Sequence, residues 1–141
     1  MERRLVILRH AHAEPAQTGM IDRERPLSAR GRQEAQAVRQ WLDHQGFQFD
    51  RILCSPALRT QQTAVVAAHA APGVAIAYEE GIYAATPGAL LSLVDQDLPS
   101  KTLLVGHNPG LEQLIALLTE GRSDVVHGLP TAGVAVLRFG P

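Results

Sequence analysis

Cysteine is nearly absent from this chain of 141 residues. Cys54 stands alone, so no internal disulfide can form and the six histidines have no thiol cluster to share a zinc ion with. A reducing compartment is the expected setting, and the cytoplasm the expected location. Lysine is just as scarce. Lys101 is outnumbered by 12 arginines, but these are dispersed from Arg3 to Arg138 and the net charge is −1. No basic cluster is available to track a nucleic-acid backbone or an anionic membrane, and neither is expected as a partner. Long apolar runs are also missing. The first, Leu5 to Leu8, is shorter than a signal-peptide core. The weakly polar stretch from Ala64 to Tyr78 is broken by His69 and by Pro72-Gly73, short of the roughly 20 apolar residues a membrane span needs.

What the chain does have is alternation. Leu5 to Leu8, Ile52 to Cys54, Val74 to Tyr78 and Thr102 to Val105 are short apolar runs of the kind that buried parallel strands show. Helical patterns follow them. Ser28 caps a helix carrying Ala35, Val38, Trp41 and Leu42 on one face and ending near Gly46. Ser55-Pro56 and Asn108-Pro109 read as a cap followed by a first-turn proline, opening helices Ala57 to Ala70 and Gly110 to Thr119. Pro87 opens another through Leu90, Leu91 and Val94. The last run, Val134 to Phe139, has no long helix before it and is expected to pair antiparallel at an edge. With no repeat or linker to divide it, the chain predicts one domain over 1–141. Its fold class is α/β: a three-layer α/β/α sandwich with a mostly parallel sheet, an antiparallel edge strand and no cap insertion.

In such sheets ligands gather beyond the carboxyl ends of the strands. There the sequence places Arg9 and His10 after the first strand and Ser55 through Arg59 after the second. Glu79 and Glu80 follow the third, and Gly106-His107-Asn108 the fourth. Two guanidiniums beside two imidazoles repel unless an anion lies between them, and arginine's planar donors match phosphate oxygens. A phosphoryl group is the expected guest. Neighbouring positive charge disfavours the imidazolium, so a histidine can itself attack. His10 is assigned that attack and His107 a charge-stabilising donor role. Glu80 is the candidate proton donor, with Glu79 not expected to face the site.

Four strings carry a resemblance: Leu8-Arg9-His10-Ala11, Pro26-Leu27-Ser28-Ala29-Arg30-Gly31-Arg32-Gln33-Glu34-Ala35, Ser55-Pro56-Ala57-Leu58-Arg59-Thr60-Gln61-Gln62-Thr63 and Val105-Gly106-His107-Asn108-Pro109. In this order they resemble the motifs of the histidine phosphatase superfamily, also called phosphoglycerate mutase-like. The small bacterial phosphohistidine phosphatases are the most similar group within it, because the chain has no room for the insertions that cover the site in larger relatives. Ala11 stands where the superfamily usually has glycine, a departure that group shares. The resemblance implies a covalent phosphohistidine on His10 and phosphate contacts from Arg9, Arg59 and His107. Ser28 and Thr131 are expected as further substrate contacts. The substrate is then a phosphorylated one, protein phosphohistidine or a small phosphoester, with no cofactor and no metal.

Other readings fit less well. His10-x-His12 as metal ligands would want more His and Asp ligands and would set Arg9 beside a cation. His12 and Glu14 are instead read as residues at the mouth of the site, and His44, His69 and His127 as residues without a partner pattern. Cys54 and Arg59 are separated by four residues, one fewer than the cysteine-phosphatase loop requires. No Gly-rich loop with Lys and Ser/Thr is present for nucleotide phosphates. A module that binds a phosphorylated partner without turnover has no need of His10. Nothing in the loops Ala13 to Arg25 or Glu120 to Pro130 names a substrate.

Overall fold

The computed structural model describes residues 3–96, 100–124 and 128–139; His127 lies outside them. Five strands, β1 (Arg3–Arg9), β2 (Arg51–Cys54), β3 (Ile76–Tyr78), β4 (Lys101–Gly106) and β5 (Val134–Phe139), form one sheet in the order β3-β2-β4-β1-β5. All neighbours are parallel except β5, which runs antiparallel to β1 at the edge. Successive side chains of a strand point to opposite faces, and the buried runs divide accordingly. Val6, Leu8, Ile52, Cys54, Leu103 and Val105 pack on one face with Val38 and Leu42 of α1 (Ala29–Gln45) and Ala64 and Ala67 of α2 (Leu58–Ala67). Leu5, Ile7, Leu53 and Leu104 pack on the other with Leu90 and Val94 of α3 (Pro87–Val94) and Leu111 and Leu114 of α4 (Gly110–Glu120). That is the three-layer sandwich. No inserted subdomain covers the carboxyl edge of the sheet, and no helix is long and apolar enough to cross a membrane, among the described residues.

Details of the helices differ from the sequence reading, each for a local reason. Ser28 does cap α1, accepting the Gly31 N–H at 3.0 Å, and Gly46 ends it in the left-handed region. Trp41, however, is 40% exposed, against the ring of Phe47. At about 100° per residue it lies roughly 60° beyond Val38, off the buried stripe. Helix α2 starts one residue later than expected, at Leu58. Its N-cap is Ala57, whose N–H donates to Ser55 Oγ at 3.3 Å while the same hydroxyl meets His107. The expected last turn of α2 is a separate 3₁₀ turn, Ala68–Ala70. Pro109 is itself the N-cap of α4, while Asn108 Oδ1 accepts the Glu112 N–H at 3.3 Å. β3 loses Val74 and Ala75, the Val74 N–H closing a turn onto the Ala71 carbonyl.

One close approach positions the site. A Cβ on Gly31 would lie 1.9 Å from the carbonyl oxygen of His12, so only glycine lets the start of α1 rest on the loop that follows β1. The Ser28 N–H and hydroxyl both donate to that carbonyl.

Candidate active site

Strand order explains why residues distant in sequence meet. β2, β4 and β1 are neighbours in the middle of the sheet, and their carboxyl ends deliver Ser55 and α2, His107, and Arg9 with His10 to one place. The His10 N–H donates to the Gly106 carbonyl, and the His10 carbonyl accepts from Ala132 N–H. The His10 and His107 ring centres are 5.3 Å apart. They open on a cleft of about 440 Å³ lined also by Arg9, Asp22, Arg25, Arg59, Tyr83 and the Ala84 and Asn108-Pro109 segments. The structure therefore brings together all four residues expected to handle phosphate.

Both imidazoles are held neutral. His10 Nδ1 lies 2.7 Å from the Ala11 carbonyl. A carbonyl only accepts, so Nδ1 carries the proton and Nε2 keeps its lone pair. Burial is the largest influence on this ring. It outweighs the Ala11 bond, and with Arg59, Arg9 and Arg25 it brings the pKa from 6.5 down to about 4. His107 is likewise lowered, to about 3, first by burial and then by Arg59 and His10 against the opposing charge of Asp22. Its Nε2 meets Ser55 Oγ at 2.7 Å, and its Nδ1 is buried without a partner among the described residues. Positive charge was the expected cause of neutrality; desolvation proves the larger one.

The arginines are fixed from behind. Arg59, with its side chain 8% exposed, donates from one nitrogen to the Asp22 carbonyl and from the other to Asp22 Oδ2, both at 2.8 Å. Arg25 donates to Asp22 Oδ1 at 3.0 Å, and the Tyr83 hydroxyl donates to Oδ2. Asp22 thus receives three side-chain donors. The Tyr83 bond is the largest of the influences that hold its carboxyl far below the usual range, and the same contact raises the Tyr83 phenol. Arg9 donates to the Leu129 carbonyl at 3.1 Å. That segment is in turn tied down by Asn108 and Glu112, which bond the Leu129 carbonyl and N–H.

Three expected residues do not join this cluster. Glu80 sits 67% exposed in the 3₁₀ turn Glu80–Ile82, with both carboxylate oxygens 2.6 Å from the Arg23 guanidinium. Arg23 holds its carboxyl below the ordinary range, so this carboxylate has no proton to give at neutral pH. Ser28 is spent on α1 and on His12, whose Nδ1 is 2.7 Å from its hydroxyl. Thr131 donates to Glu34 Oε2 at 3.3 Å. His12 sets its ring on Ser28 and does not line the cleft, its backbone N–H held by Glu34, whereas Glu14 is exposed. Asp22, Arg25 and Tyr83 were not foreseen; the dense run Asp22-Arg23-Glu24-Arg25 before Pro26 was the available signal. No group of three or more His, Cys, Asp or Glu that could hold a metal occurs among the described residues.

Residues 5–84 match the sequence profile of the histidine phosphatase superfamily, branch 1. That span exceeds half of the chain. The protein belongs to the histidine phosphatase superfamily. The matched span contains Arg9, His10 and Arg59, while His107 falls beyond it. The chain is 34% identical over 129 residues to an uncharacterised protein of Mycobacterium tuberculosis, covering 85% of this chain and 80% of that one. It is 32% identical over 140 residues to an uncharacterised Picosynechococcus protein, covering 96% and 85%. Among solved structures, SixA of Agrobacterium tumefaciens, provisionally assigned as a phosphohistidine phosphatase, superposes with a TM-score of 0.84. It shares 30% identity, covering 99% of this chain and 98% of that one. Within this superfamily member, then, the cleft with its three arginines and two histidines lies on a fold it shares almost end to end with that relative.

Proposed function

We propose that this protein is a phosphatase that works through a covalent phosphohistidine on His10, and that protein phosphohistidine is its substrate class. The observation that carries the mechanism is the His10 ring. It is neutral, its Nδ1 proton is anchored on a carbonyl, and its Nε2 lone pair is free beside Arg59 and His107. Arg9, Arg59 and His107 contact the phosphoryl oxygens, with Arg25 close by. Nε2 attacks phosphorus, and the N–P bond forms as the bond to the leaving group breaks with its electron pair. Water then attacks the phosphohistidine, the electron pair of the N–P bond returns to Nε2, and inorganic phosphate departs. The arginines supply the charge that stabilises the transferring group, and no step calls on a metal.

The leaving group distinguishes substrates. Asp22 in the cleft and Glu80 beside it are both ionised, so neither donates a proton at neutral pH. The imidazole of phosphohistidine departs as a neutral ring once its second nitrogen is protonated, which an imidazole pKa near ~6.5 makes accessible near neutral pH, so it needs no acid from the protein, while an alkoxide does. The likeness to the Agrobacterium relative supports the same choice. A small phosphomonoester with a good leaving group remains the second reading.

The test is to mix the enzyme with a labelled phosphohistidine protein, quench in alkali and locate the label. It is expected on His10, with a chelator leaving the rate unchanged; stoichiometric label on another residue would overturn the assignment. Arg59→Ala is expected to lower kcat by about 10² or more, as loss of a preorganised contact to a transferring charge does. A near-normal rate for that variant would return Arg59 to a purely structural part.

A further inference from the structure

The cleft has a charge balance that its rim preserves. Arg9, Arg25 and Arg59 line it with one carboxylate, Asp22, and with both imidazoles neutral this leaves two positive charges, equal and opposite to a phosphoryl dianion. One more cation stands at the mouth. The Arg23 guanidinium lies 4.3 Å from the centre of the Tyr83 ring, and that ring is 5.4 Å from His107. One aromatic ring therefore separates Arg23 from the phosphate-handling histidine. From there it could reach an acidic group on the non-phosphoryl part of a substrate. It is not free to do so. Its face is on Tyr83, and two of its donors are taken by Glu80 at 2.6 Å each.

We propose that Glu80 is a specificity-determining residue. By clasping Arg23, it keeps the rim electrically neutral and turns the site against phosphorylated molecules that carry a second acidic group, in favour of those whose remaining part is neutral or cationic. This rests on the phosphatase reading of the cleft and narrows its substrate class. An exposed ion pair contributes little to folding. Its effect lies in occupancy. A substrate carboxylate would have to displace a carboxylate already held in bidentate geometry on the same chain, and a tethered competitor acts at high effective concentration. The phosphorylated imidazole of a protein side chain brings no second acid and meets no such competition.

The experiment uses a matched pair of probes, 3-phosphoglycerate and glycerol 3-phosphate, which differ by a carboxylate in place of a hydroxymethyl group. Binding is measured by calorimetry at low ionic strength, in the His10→Ala background so that neither probe is consumed. In that background 3-phosphoglycerate is expected to bind no more tightly than glycerol 3-phosphate. Adding Glu80→Gln is expected to shift the ratio of the two Kd values about fivefold or more toward the carboxylate, and adding Arg23→Gln as well should cancel the shift. A ratio unmoved by Glu80→Gln overturns the proposal, as does a shift that survives loss of Arg23. Failure of glycerol 3-phosphate to bind at all would remove the phosphate-cleft reading and this inference with it. An unmoved ratio with phosphate binding intact removes the inference alone.

Discussion

His10→Ala is expected to extinguish turnover, by about 10⁴-fold or more, while leaving the fold in place. The size follows from chemistry. His10 Nε2 is the atom that bonds to phosphorus, and the neighbouring ring is held through Nε2 by Ser55, so it is not poised to take over. The survival of the fold follows from position. His10 lies just past the end of β1 and belongs to neither apolar cluster on the two faces of the sheet. Its main-chain links to Gly106 and Ala132 persist in the variant. Steady-state rates on an aryl phosphate and on a phosphohistidine protein, beside a thermal melt, check both halves. A residual rate within tenfold of the parent would mean that another group attacks.

Much of this arrangement was legible in the sequence because it depends on periodicity. Apolar runs such as Leu5 to Leu8 are of the kind that strands buried on both faces show, and their alternation with helices points to a mostly parallel sheet. Arg9, His10, Arg59 and His107 could be named because each follows a strand end, and strand ends are where α/β sheets bring loops together. Asp22 and Arg25 lay beyond that reasoning. They come from the 3₁₀ turn Asp22–Glu24 and the residue after it, a segment with no apolar period, and only the tertiary fold shows Asp22 reaching across to Arg59 while Arg25 holds its other carboxylate oxygen. Tyr83 follows the short turn after β3 for similar reasons. Glu80 shows the rule's limit. It does follow a strand, but a strand end fixes the backbone's place and not the partner a long side chain takes, and Arg23 takes this one. Trp41 failed by angle alone, one step off the apolar stripe of α1.

Acid should separate stability from catalysis in a way that ordinary histidines would not allow. The His10 and His107 pKa values are lowered from 6.5 to about 4 and about 3, so below pH 6.5 the unfolded chain takes up protons on these rings that the folded protein refuses. Stability contributed by the neutral rings is therefore complete above pH 6.5 and is lost as pH falls toward the folded values. By pH 4 the loss is on the order of 3 kcal/mol per ring. Asp22 acts in the same direction at lower pH, since its folded carboxyl is also lowered and its contribution starts to fade only below the ordinary range near ~4. Urea unfolding at pH 7 and at pH 4.5 measures the effect, and His10→Ala should reduce the difference between the two. Catalysis follows a different curve. At pH 5 an ordinary imidazole would be only about 3% neutral, whereas a ring titrating near 4 is still about 90% neutral, a difference of roughly 30-fold in attacking form. The kcat/KM on an aryl phosphate, which reports the free enzyme, should accordingly fall by no more than about threefold between pH 7 and pH 5 once corrected for the substrate's own ionisation, in a protein already measurably less stable. An acid limb in kcat/KM centred near pH 6.5 would show that His10 is neither desolvated nor pressed by the arginines as the structure has it. A stability that does not change between pH 7 and pH 4.5 would show the same for the pair.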